Sequence, residues 1–350
     1  MVKPITIAGR AVGPGQPCFV IAEAGVNHNG DVGQARRLID VAVEAGADAV
    51  KFQTFRSEQV ISAAAPKAAY QRATTSPAES QLEMVRRLEL PFEAFRELRA
   101  YAREAGILFL STPFDLESAD FLASMELPAF KVPSGEITNF PFLEHIARKG
   151  KPMIVSTGMS DLEEVRVAVE VIRAAGNPEL ALLHCVSNYP AQPASSNLRA
   201  METMQSKLGV PVGLSDHTLG IEVALAAVAL GACILEKHFT LDRDLPGPDH
   251  KASLAPAELK SLVAGIRTVE SALGDGIKQP ADEERDTRSV ARRSLVAARD
   301  LPAGSVLTED AIAILRPGTG LPPASRTKVL GKRVRAAVAA GTPLTADLLE

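Results

Sequence analysis

The feature that most constrains this chain is an alternation of pattern. Short apolar runs recur between longer amphipathic stretches. The runs are "FVIAEAG" (from Phe19), "AVKFQTF", "LFLSTPF", "FKVPSG", "MIVSTGM", "LALLHCV", "VGLSDH" and "CILEKHF". They have the length and the apolar, often β-branched character of buried strands. The stretch "DVGQARRLIDVAVEAG" shows what separates them. Ala35, Leu38, Ile39, Ala42 and Val43 fall at helical spacing, Asp31 is a suitable N-cap and Gly46 a suitable stop. "PFEAFRELRAYAREAG" and "DLEEVRVAVEVIRAAG" read the same way. Most units repeat at about 20–30 residues, which suits a strand plus a helix. The connection between the second and third strands is longer and holds an Ala/Pro-containing loop. Regular βα alternation implies a parallel sheet. Eight units over about 250 residues predict a closed (β/α)8 barrel in preference to a doubly wound sheet. "ITIAGRAVG" predicts a hairpin, within residues 1–18, that caps the barrel floor.

The alternation stops near Gly276. The barrel domain is therefore expected over residues 1–280, with a polar linker at about 277–290 ("IKQPADEERDTRSVARR" spans it). Residues 291–350 have short strand-like runs and Pro-Gly turns with no long helical period, and predict a small β-rich domain. At about 60 residues such a domain is marginal alone and needs support.

Composition narrows the partners. The net charge is −4, which disfavours nucleic acid and anionic membranes. An anionic substrate has to be met by a local cluster of bases. The three cysteines, Cys18, Cys185 and Cys233, are widely spaced among apolar neighbours. They make no disulfide framework and read as small core residues of a protein in a reducing compartment. The longest apolar run, "VALAAVALGACIL", contains Gly231, is too short to span a bilayer and reads as helix then strand. The N-terminal residues lack the apolar stretch of a signal peptide. A cytoplasmic location is expected.

Polar residues cluster at the carboxyl ends of the predicted strands, often two apart. Glu23 closes the first strand. Lys51 and Gln53 share a face of the second. Lys131 lies on the fourth, followed by Ser134 and Glu136. Ser156 is on the fifth, and Ser187 and Tyr189 follow the sixth. Ser215 and His217 share a face of the seventh, Glu236 and His238 a face of the eighth. Residues i and i+2 of a strand point the same way, and in a barrel the inward positions at this end line the mouth. The polar set therefore converges. His217 and His238, from adjacent strand ends, can approach one ion. Two imidazoles without cysteine leave coordination positions open, as suits Mn2+, Mg2+ or Co2+ acting as a Lewis acid. A neutral pair hydrogen-bonded to Ser215, Asp216 or Glu236 is the alternative. Lys51 and Lys131 with Ser134, Ser156, Ser187 and Ser215 suit a phosphate or carboxylate. No "GxxxxGK[ST]" segment occurs, so a nucleotide is not indicated.

In order along the chain stand "IAEAGVNHNGD", "KFQTF", "STPFD", "KVPSGE", "STGMS", "HCVSNYP", "GLSDHT" and "EKHFTLDRDLPGPDH". Together they resemble the sialic acid synthases, also called N-acetylneuraminate synthases. "RRSLVAARDLPAG" and "LRPGTG" in the tail resemble the family's C-terminal antifreeze-like, or SAF, domain. The resemblance implies a (β/α)8 barrel that condenses phosphoenolpyruvate with open-chain N-acetylmannosamine, releasing phosphate and forming N-acetylneuraminate. A legionaminic or pseudaminic acid synthase, acting on a 6-deoxy diacetamido hexose, is the alternative acceptor reading. By match of motif, Lys51, Thr112, Lys131, Ser134, Ser156, Ser187, Tyr189 and Ser215 would hold phosphoenolpyruvate, with Asn188 an alternative to Ser187. His217 and His238 would hold the metal. Glu23, Gln53 and Asp249 would meet the sugar. Arg316 would reach it from the tail of a partner subunit in a homodimer with exchanged SAF domains. Glu23, Glu136 and Glu236 are the candidate catalytic carboxylates, Glu136 and Glu23 preferred. Some family members pack the N-acyl group on an aromatic of the tail. Here no aromatic follows Phe239, so that wall must be Leu295, Arg292 or something else. Two readings compete: a synthase acting on a sugar phosphate, for which spare strand-end bases are too few, and a catalytically dead saccharide-binding protein.

Overall fold

The computed structural model of the chain describes residues 2–76 and 78–350. It divides into two compact units, Met1–Gly274 and Asp275–Glu350. In the first, β1 (Ile5–Ile7) and β2 (Arg10–Val12) form the expected hairpin. Eight parallel strands follow: β3 (Phe19–Gly25), β4 (Ala49–Thr54), β5 (Leu108–Pro113), β6 (Phe130–Val132), β7 (Met153–Ser156), β8 (Leu180–Cys185), β9 (Val212–Asp216) and β10 (Ile234–His238). Their order is β5-β4-β3-β10-β9-β8-β7-β6. Every neighbouring pair in that order is a parallel ladder, which makes a nearly closed barrel of the TIM type.

Alternation along each strand decides which side chains fill the barrel. Ile21, Ala49, Leu110, Ala129, Ile154, Ala181, Leu183 and Ile234 form one apolar cluster inside it, joined from below by Ile5, Ile7 and Val12 of the hairpin. The hairpin thus closes the floor. The opposite faces of the strands pack on helices such as α1 (Val32–Ala45), whose Asp31 cap accepts from the Gln34 N–H and whose Gly46 ends it in the left-handed region. Gly213 has no room for a side chain, since a Cβ there would lie 2.2 Å from the Ile234 carbonyl oxygen.

The long connection after β4 is not a bare loop. It carries α2 (Ser57–Val60), α3 (Ala69–Thr74) and α4 (Gln81–Arg86) before α5 (Phe92–Glu104). Glu89 anchors its start, accepting from the Ser57 N–H at 2.9 Å and hydroxyl at 2.6 Å.

In the second unit, β11 (Ser294–Ala297) pairs antiparallel with β12 (Ile312–Leu315) over a core that includes Leu295, Leu301, Val334 and Leu344. Part of the stretch read as linker is a helix, Glu284–Ala291. Its residues are all exposed or nearly so. Local side-chain pairing stabilises it: the Glu284 carboxylate accepts from the Ala281 N–H, and Arg285 pairs with Asp282. Leu295, named above as a sugar-packing candidate, is fully buried in this unit's core and is not free for that role. Among the described residues no helix is long and apolar enough to cross a membrane.

The turn after β3 buries His28 completely. Its Nδ1 accepts from the Gly30 N–H at 3.0 Å. Burial, aided by His250 and opposed by Asp31, lowers its pKa to about 4. A histidine so depressed costs nothing above its unfolded value of about 6.5, where both states are neutral. As pH falls from there toward 4, only the unfolded chain takes up the proton, so stability is lost. We predict that urea unfolding at pH 7 and pH 4 shows the wild type losing up to about 3 kcal/mol more than His28→Gln across that interval. Parallel shifts in the two proteins would remove His28 from this role.

Candidate active site

Above the apolar layers, the inward positions turn polar on almost every strand. Register sets their heights: His238 lies opposite Glu23, Glu23 opposite Lys51, Gln53 opposite Thr112, and Ser215 between Cys185 and Glu236. They line a cavity of about 440 Å3 at the carboxyl end of the strands. Ligand sites of this fold lie at that end.

Its floor is a buried charge cluster. Lys51 Nζ is 2.7 Å from Glu23 and 3.6 Å from Glu236, and donates to Thr112 Oγ1 at 2.8 Å. Lys131 Nζ is 3.6 Å from Glu236 and donates to Ser156 Oγ at 2.7 Å. Ser215 donates to Glu236 at 3.0 Å, and Gln53 to Glu23 at 3.1 Å. All four charged side chains are almost wholly buried. Burial works against each charge, and the neighbours decide the outcome. For Glu236 the two lysines and Ser215 win, and its pKa is lowered. For Glu23 burial wins, with Glu236 adding to it, and its pKa is raised. Lys51, between two carboxylates, is held charged. Lys131 has only Glu236 close by, so burial lowers its pKa. Of the two, Lys131 is the less compensated cation, and an arriving anion would meet it.

Beside this cluster stand the two imidazoles, their ring centroids 5.4 Å apart. Tyr189 packs 4.1 Å from the His217 ring and 5.6 Å from that of His238. His217 Nδ1 lies 2.8 Å from the Val186 carbonyl. That oxygen can only accept, so Nδ1 carries the hydrogen and Nε2 is left with its lone pair. Burial opposes a charge on His217, while Cys185 and the Val186 carbonyl favour one and raise its pKa. His238 is held neutral, its pKa pushed well down by burial and by His217. Its Nδ1 is buried without a hydrogen-bond partner. An orphaned imidazole nitrogen beside a second imidazole fits a divalent cation. Among the described residues no set of three or more His, Cys, Asp or Glu is arranged to hold a metal. The pair alone therefore fits an open site, whose other positions would go to water or substrate oxygen.

Between these residues in sequence stand Lys237, which the sequence reading passed over, and Asp216, considered there only as a partner for the imidazoles. Lys237, flanked by Glu236 and His238, points away from the cavity and pairs with Asp216, flanked by Ser215 and His217. Lys237 Nζ is 2.6 Å from Asp216 and donates to the Thr218 carbonyl at 2.7 Å. The second Asp216 oxygen accepts from the Thr218 N–H at 2.9 Å and hydroxyl at 2.8 Å. This ion pair lies behind the sheet and ties the ends of β9 and β10, which carry both imidazoles.

The remaining expected residues divide. Ser134, Ser187 and Asp249 line the cavity, Asp249 with its pKa raised to about 6 by burial. Ser134 Oγ accepts from the Gly158 N–H at 3.0 Å. A side chain at Gly158 would collide with Ser134 and Ser187, its Cβ 2.2 Å from the Ser187 hydroxyl. Asn188 is exposed and donates to the Pro190 carbonyl at 3.0 Å, so of that pair only Ser187 reaches the cavity. Glu136 is not among the lining residues, and its carboxylate accepts from Asn139 at 2.6 Å. Arg316 follows β12 in the second unit. Cys185, read as core, lines the cavity with Sγ 3.7 Å from His217 Nδ1. The i, i+2 spacing to Ser187 was its signal. The opposite wall, apolar and built from the connection after β4, carried none.

A (β/α)8 barrel thus carries a lysine–carboxylate cluster and paired imidazoles at its mouth, the arrangement of an enzyme active site at the carboxyl ends of barrel strands. The chain belongs to the NeuB family, which it matches over residues 38–278, and carries a SAF domain over residues 292–350. It is 48% identical to the N,N'-diacetyllegionaminic acid synthase of Legionella pneumophila, over 97% of this chain and 96% of that protein. It is 39% identical to the human N-acetylneuraminate-9-phosphate synthase, over 98% and 95% of the two chains. Among solved structures, the N-acetylneuraminic acid synthetase of Leptospira borgpetersenii, in complex with citrate, superposes with a TM-score of 0.73 at 36% identity, over 82% and 95% of the two chains.

The clamp behind the sheet yields a prediction. Removing one partner of a buried ion pair costs about 3–5 kcal/mol, because the other charge is stranded. Lys237→Met should be strongly destabilised, and adding Asp216→Asn should restore about 2 kcal/mol or more of that loss. Thermal and urea unfolding of the single and double variants checks this. Simple addition of the two losses would contradict the clamp.

Proposed function

We propose that this enzyme condenses phosphoenolpyruvate with the open-chain aldehyde of a 2,4-diacetamido-2,4,6-trideoxy hexose, giving a legionaminic-type nine-carbon 2-keto acid and phosphate. The observation that carries the reaction class is the cavity itself: an under-compensated buried lysine and its serines stand next to a pair of imidazoles. The acceptor rests on the identity to the legionaminic acid synthase, higher than that to the human synthase. N-acetylmannosamine, first expected from the motifs, becomes the second reading.

Each step falls to particular residues. Lys131 and Lys51, with Ser156, Ser134, Ser187, Ser215 and Thr112, would bind the phosphate and carboxylate of phosphoenolpyruvate. Glu23, Gln53 and Asp249 would hold the acceptor's hydroxyls and present its aldehyde carbon. His217 and His238 would hold a divalent cation, Mn2+ by preference, whose Lewis acidity polarises an aldehyde. C3 of phosphoenolpyruvate would add to the aldehyde carbon as its C=O π bond opens onto oxygen, which becomes a hydroxyl with the proton that the added water gives up, and positive charge develops at C2. The ionised Glu236 would stabilise that charge. Glu23, made more basic by burial, would take the proton of the water that adds to C2. The C2–O bond to phosphorus then breaks, and phosphate leaves against the lysines.

Phosphate-release assays test the proposal. Turnover should be faster with the diacetamido trideoxy hexose than with N-acetylmannosamine, and the reverse order would favour a sialic acid synthase. His217→Ala with excess Mn2+ should fall at least about 100-fold in kcat, since a lost Lewis acid removes several kcal/mol. Near-normal turnover would dismiss the imidazoles from the reaction. Lys131→Met should lose about 30-fold or more in kcat/KM for phosphoenolpyruvate, the cost of a lost buried charge contact.

A further inference from the structure

The cavity has two unlike sides. Facing the charge cluster is an apolar wall from the connection after β4 and its neighbours. Phe55, Val60, Val85, Leu88 and Phe114 line the cavity there, and Val26, Phe55 and Leu88 form an apolar cluster of their own, with Val60, Val85 and Phe114 packed against it. Val60, Val85 and Phe114 are only half-buried, so part of their surface faces the cavity. Gln71 and Gln81 add amide groups to the same lining. The Gln71 carbonyl oxygen accepts from the Ala68 N–H at 2.8 Å, which leaves its amino group to donate.

The wall's place in the barrel says which part of an acceptor it meets. It rises beside β3, β4 and β5. His217 follows β9, three strands from β4 in the sheet order, and His238 ends β10, two strands from it. An acceptor whose aldehyde lies by the imidazoles reaches the wall with its far end. A hexose ending in hydroxyls would strand those that face the apolar side chains, at about 1–3 kcal/mol for each buried unpaired group. A methyl end gains from the same surface, at about 0.8 kcal/mol per buried carbon.

We infer that this wall is the specificity subsite for the acceptor's far end: it takes the methyl of a 6-deoxy sugar, and the Gln71 amino group donates to the carbonyl of a neighbouring acylamino substituent. The inference deepens the acceptor reading above and rests on it.

The test is the isosteric pair Val60→Thr and Val85→Thr in the full-length protein, which adds hydroxyls to the wall without changing its volume. Two readouts are taken with the diacetamido trideoxy hexose and with N-acetylmannosamine. The first is kcat/KM, whose ratio between the two sugars should fall about tenfold or more, the discrimination that one apolar contact carries. The second is saturation-transfer NMR of the sugars without turnover. In the wild type the C6 methyl should receive the strongest saturation, and in the variant that signal should weaken. Equal changes for both sugars, or saturation confined to the acetamido methyls nearer the aldehyde, would overturn the subsite. If the wild type turns over neither sugar, the acceptor reading fails, and the NMR still decides the wall: C6 saturation supports it and its lack overturns it.

Discussion

Two ammonium groups and two carboxylates, buried together at the ends of β3, β4, β6 and β10, are the interaction on which the rest depends. Taking charges out of water costs several kcal/mol each, and only close partners with fixed geometry offset it. Strands of a closed sheet supply that geometry. Glu23, Lys51 and His238 sit at one height because their backbones are in register. The apolar layers below and the hairpin floor keep water out from beneath. The Lys237–Asp216 pair, behind the sheet, keeps the β9 and β10 ends from shifting against each other. The core stabilises a site that by itself is a burden on stability.

The cluster is not symmetrical, and its asymmetry points to function. Lys51 is shared by two carboxylates, whereas Lys131 leans on one at 3.6 Å. A fully neutralised quartet would be a structural feature. Uneven pairing leaves Lys131 able to attract an anion, next to imidazoles with lone pairs to give. The cavity continues into a side that is apolar, so it asks for a ligand with charge at one end and methyl groups at the other. Phosphoenolpyruvate and an acylated deoxy sugar, taken together, have that character.

Much of this was legible in the sequence, for a physical reason. Period-two alternation within strands and its repetition around the barrel fix which side chains point inward, so Glu23, Lys51, Lys131, Ser215, His217, Glu236 and His238 could be placed without coordinates. What escaped lay outside that rule. Lys237 and Asp216 point outward, where alternation predicts helix-facing apolar residues, and only their pairing across two neighbouring strands explains them. Cys185 looked like core because its inward position could be filled by any small side chain. The apolar wall comes from short helices with no common period, and its members meet through a long connection. The helix Glu284–Ala291 has no apolar stripe to betray it, since its support is local pairing between charges. Glu136 shared the strand-end signature, yet its position on the turn after β6 directs it to Asn139.

The central claim is that the two imidazoles hold a cation beside the lysine–carboxylate cluster. Pulsed electron paramagnetic resonance of the full-length protein with one equivalent of Mn2+ tests it most directly, because the nuclear modulation counts nitrogens bound to the metal. The account predicts modulation from two imidazole nitrogens, one of them lost in His238→Asn. A spectrum with no directly bound nitrogen, the same in wild type and variant, would contradict it.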